Sequence, residues 1–122
     1  MEQLISEEFM EYKRRPTVKE KKLIDILVQK SSIPYNKDWD KELMVRSMSD
    51  GGMGSLYLYP KDCKDELRRF GKQISEVTFK DKDGVDVVVS LNTDDKGNLY
   101  ELDIWKTDFN QLVEIPDNLE IV

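Results

Sequence analysis

The sequence predicts an α+β fold: an N-terminal helix packed on one face of an antiparallel sheet of about five hairpin-connected strands. Three observations carry this expectation. Apolar residues recur every three or four positions between Val18 and Lys30, and from Lys41 onward they alternate instead. The alternating runs are separated by links rich in Asp, Asn and Gly, the residues that hairpin turns require. Links this short favour antiparallel neighbours, since a parallel pair needs a crossover of a dozen residues or more.

Each element follows from its own residues. Thr17-Val-Lys-Glu20 has the form of a capping box, with Pro16 just ahead of it. Leu23, Ile24, Leu27 and Val28 then share one helical face, while Lys21, Lys22, Asp25 and Gln29 lie off it. Upstream, Phe9, Met10 and Tyr12 among Glu7, Glu8 and Glu11 suggest a short first helix from about Ser6. "SSIPYNKDWD" reads as a loop, with Tyr35 and Trp39 covering an edge of the core. Leu43, Val45 and Ser47 next alternate with Met44, Arg46 and Met48, and Leu56 and Leu58 alternate with Tyr57 and Tyr59. Joined by "SDGGMGS", these two runs form a hairpin. "KDCKDELRRFGK" is a polar connection with room for a helical turn. "QISEVTFK", "VDVVVSLN" and "LYELDIWK" supply three more strands, divided by turns at 81–84 and 93–98. The chain is thus a single domain over 1–122, helical in 1–30, sheet in 41–106 and tail in 107–122. At 122 residues it can bury a core without disulfide or metal staples.

Composition removes several function classes. Histidine is absent, so Ser-His-Asp and Cys-His arrangements and His-based zinc sites cannot be built. The single cysteine, Cys63, has no disulfide partner in the chain; Lys61, Lys64, Arg68 and Arg69 flank it, but Asp62, Asp65 and Glu66 offset them. We read it as an incidental thiol. The net charge of −6 is unevenly spread: +1 over residues 1–30, 0 over 31–70 and −7 over 71–122. An acidic second half argues against nucleic acid and favours a basic protein partner. The opening residues "MEQLISEEFMEYKRR" lack the features of a secretion signal, and no apolar run reaches the roughly 20 residues of a membrane span. A cytoplasmic protein that does not engage a membrane is expected.

Four stretches are candidates for function. "SMSDGGMGSLYLYP" clusters three glycines but lacks the lysine and following helix of a phosphate loop and the G-x-S-x-G of a nucleophile elbow. A tight turn is expected there, displaying Met53 and holding Asp50 and Ser55. "NTDDKGN" places Gly97 where a calcium loop would, yet Lys96, Asp103 and the strand flanks depart from that pattern. No metal and no cofactor is expected. On "LYELDIWK", if the helix covers Tyr100, Leu102 and Ile104, then Leu99, Glu101, Asp103 and Trp105 share the other face. Carboxylates two residues apart on a strand lie roughly 6–7 Å from each other, spaced for acid and base roles or simply for an acidic surface.

Three segments carry a resemblance: "SDGGMGSLYL", "FKDKDGVDVVVSLNTDDKGNLYELDIWKTDF" and "QLVEIP". They resemble a small bacterial family known only as a domain of unknown function, with a DGGMGS turn and an ELDIWK-DF segment. The match spans roughly residues 43–116 and implies no catalytic residues. In size and acidity alone, the chain is also similar to the immunity proteins that neutralise secreted toxins. These observations lead to one expected function: a non-enzymatic binding protein whose acidic face at Glu101, Asp103 and Trp105, with the Asp50, Met53 and Ser55 loop, takes a basic protein. An immunity-type inhibitor of a basic toxin is its most concrete form. The alternatives are a carboxylate-based hydrolase, metal-assisted or not, using Asp50, Glu101 and Asp103, and a structural or oligomerising module.

Overall fold

The computed structural model describes residues 13–33, 35, 38–61, 63 and 67–121. The short helix expected from Ser6 lies outside the described residues, as does part of the connection around Cys63.

Helix α1, Val18–Gln29, starts at the capping box. Thr17 Oγ1 accepts the Glu20 amide at 3.1 Å, and Glu20 Oε1 accepts the Thr17 amide at 2.9 Å. Arg14 clamps the same carboxylate at 2.7 Å. Leu23, Ile24 and Leu27 are fully buried and Val28 partly so. At about 2 kcal/mol per buried side chain, the first three contribute on the order of 6 kcal/mol, against about 1 kcal/mol for a cap. Packing therefore holds this helix, and the cap decides where it begins. No described helix is long and apolar enough to cross a membrane.

The sheet has six strands rather than about five. They are β1 (Lys13–Arg14), β2 (Met44–Ser47), β3 (Leu56–Tyr59), β4 (Phe70–Lys80), β5 (Asp86–Asp94) and β6 (Leu99–Lys106). The additional strand, β1, pairs only Lys13 with Arg46 and Arg14 with Val45, which is too short for any periodic signal. In space the order is β1-β2-β3-β6-β5-β4, every neighbour antiparallel. The β2–β3 hairpin and the β4–β5–β6 meander are thus two units, joined where β3 meets β6. Helix α1 packs against β4 and β5, and its stripe meets Phe79, Val87 and Val89 in one continuous core with Leu58, Leu102 and Ile104. Trp39 closes an edge of that core. Tyr35 is partly buried beside it, its hydroxyl accepting the Leu99 amide at 3.1 Å.

β4 starts at Phe70, three residues before the alternation becomes visible at Gln73. Gly71 permits this: a Cβ there would lie 2.2 Å from the Asp94 carbonyl oxygen. Ile74 is an extra residue in β4, between the pairs Gln73–Asn92 and Ser75–Leu91, and its carbonyl accepts the Ser32 amide at 2.9 Å. The neighbouring Ser75 is buried, with no hydrogen-bond partner for Oγ among the described residues.

The C-terminal tail is part of the fold. Leu112, Ile115, Leu119 and Ile121 pack against the core. Its anchor is Asp81, at the β4–β5 turn, whose carboxylate accepts the Val113 amide at 2.7 Å, the Glu114 amide at 3.2 Å and the Lys82 amide at 2.7 Å. Lys106 lies on the core-facing phase of β6 and is 1% exposed. Its ammonium reaches Asp81 at 2.9 Å, Asp83 at 2.5 Å and the Gln111 carbonyl at 3.1 Å, so the buried cation is fully engaged. Glu114 in turn pairs with Lys19 of α1 at 2.6 Å and with Lys82.

Candidate functional site

The glycine cluster is a turn. Gly51, Gly52 and Gly54 have φ of 74°, 84° and 94°, a region that costs other residues about 1–2 kcal/mol each. Asp50 organises it: Oδ1 accepts the Met53 amide at 3.1 Å and Oδ2 the Ser55 amide at 2.9 Å. The Gly52 carbonyl accepts the Leu112 amide at 3.1 Å, so the tail braces the loop from one side. Ser55 braces it from the other. Its buried hydroxyl accepts the Ile104 amide at 2.8 Å, donates to the Ile104 carbonyl at 3.1 Å, and lies 3.5 Å from Asp103 Oδ1. A side chain here extends the β3–β6 ladder one step past the end of β3. The loop and the acidic strand are therefore neighbours, with Asp50, Ser55 and Asp103 in sequence along one chain of contacts. Met53 is half-buried, and the polar atoms of Asp50 and Ser55 are engaged within the fold.

The sheet face turned away from α1 holds the other predicted residues. Asp103 and Trp105 are exposed and Glu101 is half-buried, opposite Ser90, Val88 and Asn92 of β5. Glu76 of β4, opposite Ser90, adds a further carboxylate, whereas Asp86 is matched by Lys80 opposite it, whose ammonium lies 2.8 Å away. Trp105 stacks on Phe109 with ring centroids 5.7 Å apart and planes tilted by 58°. Phe109 was not foreseen. It is 72% exposed and holds φ at 65°, a left-handed conformation unusual for an aromatic residue. Its signal in the sequence is an apolar side chain inside the turn "KTDFN".

Two residues of β6 sit on the opposite face from the one expected. Asn92 pairs with Glu101 while Thr93 pairs with Leu99, so Tyr100 is one residue too many on β6. Such a bulge turns the strand by half a period. Leu99 consequently faces the core, fully buried, and Tyr100 emerges beside Glu101 on the open face.

There Tyr100 helps form a pocket of about 190 Å³ with Arg46, Tyr57, Tyr59 and Arg68. The Arg46 guanidinium lies over Tyr57 at 4.5 Å, and its Nε donates to Tyr59 Oη at 3.2 Å. The Arg68 guanidinium lies over Tyr100 at 4.8 Å. The sequence places Arg68 in a basic cluster about Cys63; its side chain is instead buried, donating to Asp94 at 3.0 Å, to the Leu58 carbonyl at 2.6 Å and to the Leu99 carbonyl. Asp94 is the centre of the β5–β6 turn, Oδ1 accepting the Lys96 and Asn98 amides at 2.9 Å each. Burial pushes its carboxyl up, but the Asn98 amide and Arg68 outweigh this and hold it below the usual carboxylate range. Burial, then Glu101, raises the Tyr100 phenol. Among the described residues no group of three or more carboxylate or thiol side chains gathers to hold a metal ion.

A family model described as "Domain of unknown function (DUF6984)" matches residues 13–116. No curated protein and no solved structure matches the chain.

Proposed function

The chain belongs to the family described as a domain of unknown function (DUF6984), a membership that assigns no activity, and we propose that it is a non-enzymatic binding domain that docks a basic protein partner on its open sheet face. One observation carries this reading: the exposed Trp105–Phe109 pair stands beside the carboxylates of Asp103 and Glu101 on the face opposite α1. Large aromatic side chains supply much of the energy of protein interfaces, and surrounding charges set partner choice and association rate. Holding Phe109 in a left-handed turn costs on the order of 1 kcal/mol. The rest of the site is rigid, because the loop at Asp50 and Ser55 is braced by β6 on one side and the tail on the other. A rigid acidic platform with an aromatic anchor suits an immunity-type inhibitor acting in the cytoplasm on a basic toxin, the most concrete form of this proposal.

The test uses the full chain as bait in a lysate of its host, followed by calorimetry on the purified pair. The partner should be basic. Glu101→Lys with Asp103→Lys should abolish or greatly weaken binding, Trp105→Ala should cost about 2 kcal/mol, and added salt should slow association. An acidic partner, or affinity unchanged by the charge reversal, would overturn the proposal.

A further inference from the structure

The tyrosine-lined pocket is chemically unlike the acidic half of the same face. Arg46 is held from two directions, stacked on Tyr57 and bonded through Nε to Tyr59. Its Nη1 and Nη2 make no hydrogen bond, and the residue forms no ion pair, among the described residues. The fork is thereby fixed in orientation with both ends unused, which is the arrangement that receives a planar oxyanion by two parallel hydrogen bonds. Arg68 differs. Its charge is already matched by Asp94, so it serves as a wall of the pocket. Lys13, with its ammonium 4.2 Å from the Tyr59 ring centre, adds a second cation at the β1 edge.

We propose that the pocket of Arg46, Tyr57, Tyr59, Arg68 and Tyr100 is a recognition site for a single carboxylate group. Its volume of about 190 Å³ admits a side-chain-sized group and falls short of the roughly 300–1,000 Å³ typical of sites for drug-sized ligands. Glu101 lies beside Tyr57 in the ladder and on the same face, and its charge opposes a dianion such as phosphate more than a monoanion. The inference stands apart from the basic-partner reading, since it concerns the other half of the face and a ligand of opposite charge. The carboxylate comes either from a small molecule or from an acidic side chain of a protein, and the two are separable by experiment.

Isotope-labelled full chain is titrated with benzoate, N-acetyl-glutamate amide, phenyl phosphate and benzyl alcohol while the Arg46 Nε–Hε signal and the Tyr57 and Tyr100 ring signals are followed. Saturable shifts are expected with both carboxylates, on the order of millimolar, and not with the alcohol. Tighter binding of benzoate identifies a small-molecule source, and tighter binding of the capped glutamate an acidic side chain. Arg46→Lys should weaken binding roughly tenfold, because a point charge loses the fork. Arg46→Met should abolish it, with amide signals elsewhere unchanged as the control for folding. Absence of saturable shifts, phenyl phosphate binding tighter than benzoate, an equal response to benzyl alcohol, or unaltered affinity in Arg46→Lys would each overturn the assignment.

Discussion

Replacing Asp81 with alanine should release the C-terminal tail and cost about 3 kcal/mol. The substitution strips the Val113, Glu114 and Lys82 amides of their acceptor and removes one of two carboxylates from the buried Lys106. Breaking a buried ion pair from one side costs about 3–5 kcal/mol. The lower end applies here, because Lys106 keeps Asp83 at 2.5 Å and the Gln111 carbonyl at 3.1 Å. Set against a total of about 5–15 kcal/mol for a domain, that loss should lower Tm by about 10 °C. It is read from urea denaturation, and hydrogen exchange at Val113 and Glu114 should accelerate well beyond that at the β5 amides. The effect has a defined pH window. Burial raises the Asp81 carboxyl, but the Val113 amide, Lys106 and the Glu114 and Lys82 amides outweigh it and set the folded value below normal. The stabilisation is therefore complete above the unfolded carboxylate pKa of about 3.9 and is lost as pH falls through the folded value. Lys106 is raised, chiefly by Asp83, so its share is complete below about pH 10.4 and is lost as pH rises through its folded value. Asp81→Ala should show a smaller acid limb than wild type, the remainder belonging to the other carboxyls held low, among them Asp94 and Glu114. A loss under 1 kcal/mol, or a tail amide that exchanges no faster than the core, would refute the reasoning.

Two further outcomes concern stability and titration. Ser75→Ala should raise stability by about 1 kcal/mol in chemical denaturation, because it removes a buried hydroxyl that has no partner among the described residues; a decrease would mean that Oγ is satisfied in solution. Glu114, held down by Lys19 and Lys82, should titrate at about 2 by carboxyl NMR. Its contribution is then present above the unfolded pKa of about 4.3 and fades as pH falls toward 2, and Lys19→Ala with Lys82→Ala should return the midpoint toward normal.

The helix, the hairpins and their faces were legible because each rests on local chemistry: a capping box, a 3.6-residue stripe, a period of two, turns built on Asp and Gly. The strand order was not, since nothing local states that β3 joins β6 rather than β4. β1 escaped notice because two residues carry no period. The Glu101, Asp103 and Trp105 face was correctly separated from Leu102 and Ile104, yet Leu99 and Tyr100 were each assigned to the wrong side. A trace of the reason was present: Leu99 and Leu102 are three apart, an odd spacing that two residues on the same face of a regular strand cannot have. Ile74 and Val77 repeat it in β4, where Ile74 is itself an extra residue. The arginine–tyrosine pocket draws on β2, β3, β6 and the segment before β4, so no contiguous motif could announce it. The buried Lys106 was hidden for a different reason, as lysine at a core-facing position reads as a strand end until its two aspartates are seen.

Without Tyr100, β6 would alternate in unbroken step, Leu99, Leu102, Ile104 and Lys106 inward, Glu101, Asp103 and Trp105 outward. The tyrosine is thus an interpolation, a syllable added to a line whose metre is already complete. Because it takes no place in the hydrophobic core and meets instead the Arg68 guanidinium at 4.8 Å and the Arg68 carbonyl at 3.5 Å, substitution there can reshape what the pocket accepts while the hydrophobic arrangement beneath stays as it is. Core and recognition surface, which share a strand, are in this way free to change at different rates.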